Sequence, residues 1–173
     1  MAVPAEPMQT EVVPVETVRP LRHSVLRPGW PHEASLYVND GDPLAVHAAV
    51  RPSDGGAPVA VGSLLPEDPP AWLVNLAGVP QPGTSRGGGR WWRIRGMATV
   101  DELRGQGHGR SVLELLLEKA REAGGGAVWC TARLGALSLY RRIGFHEGGD
   151  VEELAGIGPH LTMWLALPSP RSV

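Results

Sequence analysis

Gly105, Gly107 and Gly109 alternate with Gln106 and His108 in the run RGQGHG at 104–109, and a leucine-rich helical pattern follows at once. Glycine loses more backbone freedom on folding than any other residue, so three of them ahead of a helix need a reason. Anion binding supplies one. Without Cβ atoms, backbone N–H groups converge on a single point. A helix N-terminus adds unpaired N–H donors and a partial positive charge. Together they cradle a phosphate or pyrophosphate, and Arg104 and Arg110 flank the cradle with positive charge. Two other glycine-turn chemistries fail on spacing. A nucleotide P-loop needs a lysine after its last glycine, where this chain has Arg110–Ser111. A dinucleotide fingerprint needs G-x-G-x-x-G in the first strand-to-helix turn, whereas here the spacing is G-x-G-x-G and the run falls late. A turn that is merely rich in glycine is the remaining alternative.

The cradle needs a rigid base, and the pattern behind it provides one. Val112, Leu113, Leu116, Leu117 and Ala120 recur at helical spacing, while Glu114, Glu118, Arg121 and Glu122 face away. Gly124–Gly126 end that helix. RWWRIRGMATV at 90–100 reads as the strand leading into the cradle, and AVWCTA at 127–132 as a short strand after it. LGALSLYRRIG at 134–144 is a second amphipathic helix closed by Gly144, and 145–167 reads as two final strands around a Gly/Pro turn. Upstream, Val12, Val13 and Val15 suggest a short strand. Val18, Leu21, Val25 and Leu26 fit a helix ending before Pro28–Gly29, with Pro20 admitted only in its first turn. Residues 43–51 and 59–66 form a hairpin, and 67–89, rich in Pro and Gly, reads as a long loop. The order is strand, helix, hairpin, strand, helix, strand, helix, two strands. That is a mixed α/β sheet with helices packed on its faces. Residues 1–10 and 168–173 read as loose tails around one domain at 11–167.

Composition narrows the classes. A chain of 173 residues, 42% hydrophobic and 20% charged, reads as one folded soluble domain. Its formal net charge of -2 argues against a nucleic-acid binder, which needs a basic surface. No run approaches the roughly 20 apolar residues of a membrane helix. The first ten residues lack a basic segment followed by an apolar one, so a secretory signal is not expected and a cytoplasmic location is the default. Cys130, the single cysteine, permits neither an intrachain disulfide nor a cysteine cluster for zinc, and it reads as core filler. Trp91 and Trp92 are neighbours on a strand and point to opposite faces, so one at least belongs to the core. Trp30 and Trp72, in the less regular first half, either pack under a loop or line an apolar pocket.

Arg104-Gly105-Gln106-Gly107-His108-Gly109 resembles the R/Q-x-x-G-x-G/A motif of the GNAT acyltransferase superfamily, which binds the pyrophosphate of acetyl-CoA. ARLGALSLYRRIGF at 132–145 resembles the second signature of that superfamily, a helix whose tyrosine lies five residues before the Phe of a Gly-Phe pair. Tyr140 and Gly144–Phe145 stand in those places. The likeness is strong over about residues 90–167, and LRHSVLRPGWP, His47 and GIGPHLTM resemble a bacterial branch of the superfamily.

The resemblance implies a mostly antiparallel sheet of six to seven strands with helices on both faces, acetyl-CoA as cosubstrate, and N-acetyl transfer to an amine acceptor. It implies that Arg104, Gly105, Gln106, Gly107, His108, Gly109 and Arg110 hold the pyrophosphate, His108 through its backbone N–H. Backbone groups of Met97, Ala98 and Val100 would bind the pantetheine arm and polarise the thioester carbonyl, and Tyr140 would protonate the departing thiolate. A helix tyrosine packed on the sheet is the other reading of Tyr140. Many relatives carry an asparagine seven residues before the tyrosine, bonded to the pantetheine. This chain has Arg133 there, which suits a phosphate or the substrate instead. Relatives often place the general base, a carboxylate, on the strand before the cradle. Here that strand carries Arg93 and Arg95 and no acid, leaving His47, His160, Glu152, Glu153 or a water chain. The acceptor side would be formed by the connection after the first helix and the loop at 67–89. Homodimers occur in the superfamily, and a homodimer is allowed for this chain. A non-catalytic acyl-CoA-binding module on the same fold is the alternative function, and an unrelated phosphate-ligand binder a third.

Overall fold

The computed structural model describes residues 7–83 and 89–168. Seven strands form one sheet: β1 (Met8–Val13), β2 (Val46–Pro52), β3 (Ala60–Pro66), β4 (Trp91–Thr99), β5 (Ala127–Arg133), β6 (His146–Leu154) and β7 (Gly158–Ala166). Four helices join them: α1 (Val15–Leu26), the single-turn α2 (Ala71–Val74), α3 (His108–Glu122) and α4 (Leu137–Ile143). The sheet order is β1-β2-β3-β4-β5-β7-β6. β4 and β5 run parallel, while β1–β2, β2–β3, β5–β7 and β6–β7 are antiparallel. This matches the mixed sheet expected from the order of elements and the mostly antiparallel one that the family resemblance implies.

Among the described residues, those up to 64 with 96–116 form one compact unit, and those of 65–95 with those from 117 onward form another, so β4 and α3 each contribute to both. In the first, Val18 of α1 packs with Val13, Ala49, Val61 and Ala98, and Leu21, Val25 and Leu26 close over it. Its other sheet face carries the start of α3: a Cβ on Gly62 would lie 2.9 Å from Val112 and 3.2 Å from Leu116. Neighbouring Val61 and Gly62 thus serve opposite faces, as strand alternation requires. In the second unit Leu73, Val79, Trp91, Ala127, Trp129 and Trp164 form one cluster. Trp92 points the other way, 2.9 Å from where a Cβ of Gly125 would stand. Both tryptophans are buried, because both faces of β4 are covered.

Several expectations change. Met8, Gln9 and Thr10 belong to β1, not to a tail: they pair with Pro52, Arg51 and Val50, and an available edge outweighs weak strand propensity. Residues 1–6 and 169–173 of the expected tails, and 84–88 of the expected loop, lie outside the described residues. The loop at 67–89 also contains α2. Pro20 is not in the first turn of α1 but is its sixth residue. It denies an N–H to the carbonyl of Glu16, and both residues face solvent, where water can take that carbonyl.

Candidate active site

α3 opens at His108, and its first backbone bond runs from Ser111 N–H to Gly107 C=O at 3.0 Å. The N–H groups of His108, Gly109 and Arg110 therefore have no partner within the helix. Gly105 and Gly107 have φ of +77° and +88°, values that L side chains rarely adopt, and a Cβ on either would meet nothing within 4 Å. Gly105, Gln106 and Gly107 are exposed. The result is an open concave turn with helix-start donors behind it, which suits the pyrophosphate of a nucleotide cosubstrate. Arg104 and Arg110 flank it at the surface, each paired to a carboxylate of its own segment, Asp101 and Glu114, at 2.7 Å. These exposed pairs contribute little to stability and can exchange partners.

The β4–β5 ladder stops early. It pairs Trp91–Arg93 with Ala127–Trp129 and goes no further, although both strands continue. Gly96, with φ +64°, interrupts the regular extended backbone of β4 just beyond. Met97 lays its side chain over Gly62, and Ala98 is buried against α1. Val100 has its N–H bonded to Val59 C=O at 2.9 Å, and its C=O accepts from Leu103 N–H at 3.0 Å. The Val100 N–H is therefore already used.

Tyr140, on α4, is buried and meets Phe145 edge-on, ring centroids 5.3 Å apart. Its hydroxyl neighbours the thiol of Cys130 on β5. Burial, and that thiol, push the phenol well above its usual pKa, so it stays protonated across the physiological range. Burial also pushes the Cys130 thiol up to about 12, against the charge of Arg93, the Tyr140 hydroxyl and the Met163 backbone. Cys130 is thus no nucleophile. Its neighbourhood, invisible in linear sequence, forms only when β5 meets α4.

The base candidates fare differently. His47 is buried with both ring nitrogens engaged: Nε2 lies 3.0 Å from Asp40 C=O and Nδ1 2.7 Å from Ser63 Oγ. A carbonyl only accepts, so Nε2 carries the proton and Nδ1 accepts from Ser63. Burial lowers its pKa, outweighing the Asp40 carbonyl and carboxylate that raise it, and Arg22 and Arg19 lower it further. Neutral and fully bonded, His47 has no lone pair left for a substrate. His160 of β7 donates Nδ1–H to Gly158 C=O at 2.8 Å, which leaves Nε2 as an acceptor without a partner among the described residues. It stands between Arg133 of β5 and Glu152 of β6 in register. Glu152 and Glu153 are exposed on β6, at the sheet edge.

Two clusters escaped the sequence reading. On β4, Arg93 donates to Glu67 at 2.6 Å and lies 4.3 Å above the Trp129 ring, whose Nε1–H bonds the Glu67 carbonyl at 2.9 Å. The acid that β4 lacks in sequence thus arrives from the end of β3, as a partner of Arg93. On α1, fully buried Arg22 bonds Asp40, the Ser35 carbonyl and Ser63 Oγ, and sits 4.1 Å over Tyr37. Trp30 and Trp72 are half-exposed, and Trp72 lies against Gly149.

The family model of the acetyltransferase (GNAT) family matches residues 15–145, from α1 through α4. The chain belongs to the GNAT acetyltransferase family. It is therefore an acetyltransferase, and acetyl-CoA is its cosubstrate. The uncharacterized N-acetyltransferase YitI of Bacillus subtilis (strain 168) is 29% identical over 164 residues, covering 95% of this chain and 99% of YitI. Escherichia coli ElaA shares the fold with TM-score 0.66 at 18% identity, covering 91% of this chain and 99% of ElaA. An aminoglycoside 6'-N-acetyltransferase solved with coenzyme A shares it with TM-score 0.66 at 12% identity, covering 94% and 99%. Among the described residues no helix is long and apolar enough to cross a membrane, and no group of His, Cys, Asp and Glu is arranged to hold a metal ion.

Proposed function

We propose that the chain is an N-acetyltransferase that moves the acetyl group of acetyl-CoA to a primary amine by direct attack. The observation that carries the donor half is the cradle: three N–H groups at the start of α3, without a partner among the described residues, behind two positive-φ glycines with open space above them. In this reading residues 104–110 hold the pyrophosphate and Arg133 adds charge to it or to the acceptor. The backbone of Met97 and Ala98 receives the pantetheine and the thioester carbonyl, while Val100 has its N–H held by Val59 and its C=O by Leu103. The amine nitrogen forms a bond to the acetyl carbon, the carbon–sulfur bond breaks, and the thiolate takes the Tyr140 proton. The ammonium proton leaves to His160 Nε2. His160 is preferred to His47 because its Nε2 has no partner among the described residues whereas both His47 nitrogens are engaged, and to Glu152 and Glu153 because those side chains are solvated. A cytoplasmic location and a homodimer fit this reading, as does a single domain once its start is moved from residue 11 to Met8.

Thermal unfolding with acetyl-CoA and with ADP tests it. ADP shares the pyrophosphate but has no pantetheine arm. Acetyl-CoA is expected to raise the midpoint by several degrees and ADP by less. Thiol release should then require an added amine. Equal shifts from the two ligands would instead identify a site that reads phosphate alone. Binding without thiol release from a broad amine panel would favour a non-catalytic module.

A further inference from the structure

Arg19 stands one turn before Arg22 on α1, and both guanidinium groups meet a single carboxylate, Asp40. That carboxylate is already taken. Arg22 Nη1 reaches its two oxygens at 3.0 and 2.7 Å, and Tyr37 N–H adds a third bond at 3.1 Å. Arg19 comes no closer than 3.7 Å, and it makes no hydrogen bond among the described residues. Its Nε is buried with no hydrogen-bond partner among the described residues, and so is the Nε of Arg22. Glu16, three residues earlier on α1, forms no ion pair with it among the described residues. The neutral His47 and Ser63 add dipoles and no charge. The cluster thus holds two cations against one anion, with one half-buried guanidinium whose donors are unspent. An unpaired buried donor on a charged group is expensive, and an anion is the partner that relieves it.

We propose that Arg19, braced by the Arg22–Asp40 pair, anchors a carboxylate on the acceptor, so that the acceptor is an amine that also carries a carboxylate. A carboxylate matches the planar fork with two parallel hydrogen bonds. Arg19 keeps 30% of its side chain exposed, so a carboxylate can reach it from solvent. The inference rests on the acetyltransferase reading above, with α1 and its connection to β2 on the acceptor side.

The test uses the full chain with acetyl-CoA and matched acceptors: free amino acids against their carboxamides, followed by thiol release. The free carboxylates are expected to show a kcat/KM higher by about tenfold or more. Arg19→Gln should erase that preference by raising the acceptor KM, with the KM for acetyl-CoA unchanged. Arg19→Lys should recover part of it. Carboxamides acetylated as well as the free acids would overturn the proposal, as would no turnover of any free acid although acetyl-CoA still stabilises the protein. An equal loss for acids and carboxamides in Arg19→Gln would make Arg19 merely structural and overturn it too. If acetyl-CoA gives no thermal shift at all, the reading beneath the proposal fails, and the proposal with it.

Discussion

Gly96 and Gly107 both have positive φ, +64° and +88°, yet the two should respond differently to the same substitution. A Cβ on Gly107 meets nothing within 4 Å, whereas one on Gly96 would lie 2.7 Å from Arg22 Nε and 3.2 Å from the Tyr37 ring. Arg22 cannot step aside, because it is fully buried and bonded to Asp40, Ser35 and Ser63. Left-handed backbone costs an L-residue about 1–2 kcal/mol, which is the whole expected penalty for Gly107→Ala. Gly96→Ala adds about 1–3 kcal/mol for forcing extra volume into a packed site, about 2–5 kcal/mol in all. In a chain of this size each kcal/mol lowers the unfolding midpoint by about 2–4 °C. At mid-range, Gly96→Ala should lose about 7–14 °C and Gly107→Ala about 3–6 °C.

Ligand response should run the other way. At a hundredfold excess over Kd, acetyl-CoA adds about 2.7 kcal/mol to the wild type. Gly107→Ala should lose most of that increment, because its methyl group stands beside the donors that would meet the pyrophosphate. Differential scanning fluorimetry without and with acetyl-CoA reads both effects. Equal midpoints for the two unliganded variants would refute the packing argument at Gly96. A full acetyl-CoA increment in Gly107→Ala would refute the cradle.

Tyr140→Phe removes the proposed proton donor and keeps the ring contact with Phe145, so kcat should fall by about a hundredfold with acetyl-CoA affinity nearly intact; unchanged turnover would end the general-acid role. Cys130 is buried with its thiol raised to about 12, so a thiol reagent should label it only on unfolding, and prompt labelling of the native protein would contradict its placement. His47 has a folded pKa below its usual 6.5, so the unfolded chain binds more protons as pH falls past that value. Stability should therefore be full above pH 6.5 and decline below it. Asp40 takes over the loss below its usual 3.8: burial raises its pKa, but the Arg22 hydrogen bond and charge and the Tyr37 N–H together lower it. In denaturant titrations His47→Gln should flatten the first decline, and an unchanged slope would show that His47 does not carry it.

The elements around the donor site could be read from the sequence because local rules set them. Helical spacing at Val112, Leu113, Leu116 and Leu117 predicts α3, and Gly144 takes the left-handed closing position of α4 with φ +108°. Local rules failed where a distant partner decides. Met8–Thr10 are strand because β2 offers an edge, and the sixth-position Pro20 is tolerated because its turn faces water. Both are tertiary effects on weakly committed segments.

The same distinction separates donor from acceptor chemistry. A pyrophosphate is met by consecutive backbone N–H groups, so the site proposed for it is one run of glycines opening one helix. A base or an acceptor anchor is a side chain whose state depends on neighbours far along the chain. His47 and His160 look alike as letters on strands. Asp40 and Ser63 use up both nitrogens of the first, while Gly158 uses only one of the second. Arg19 is one arginine among many until Arg22 is seen to have taken Asp40. What distinguishes these groups is which hydrogen bonds remain unmade, and that is a property of packing.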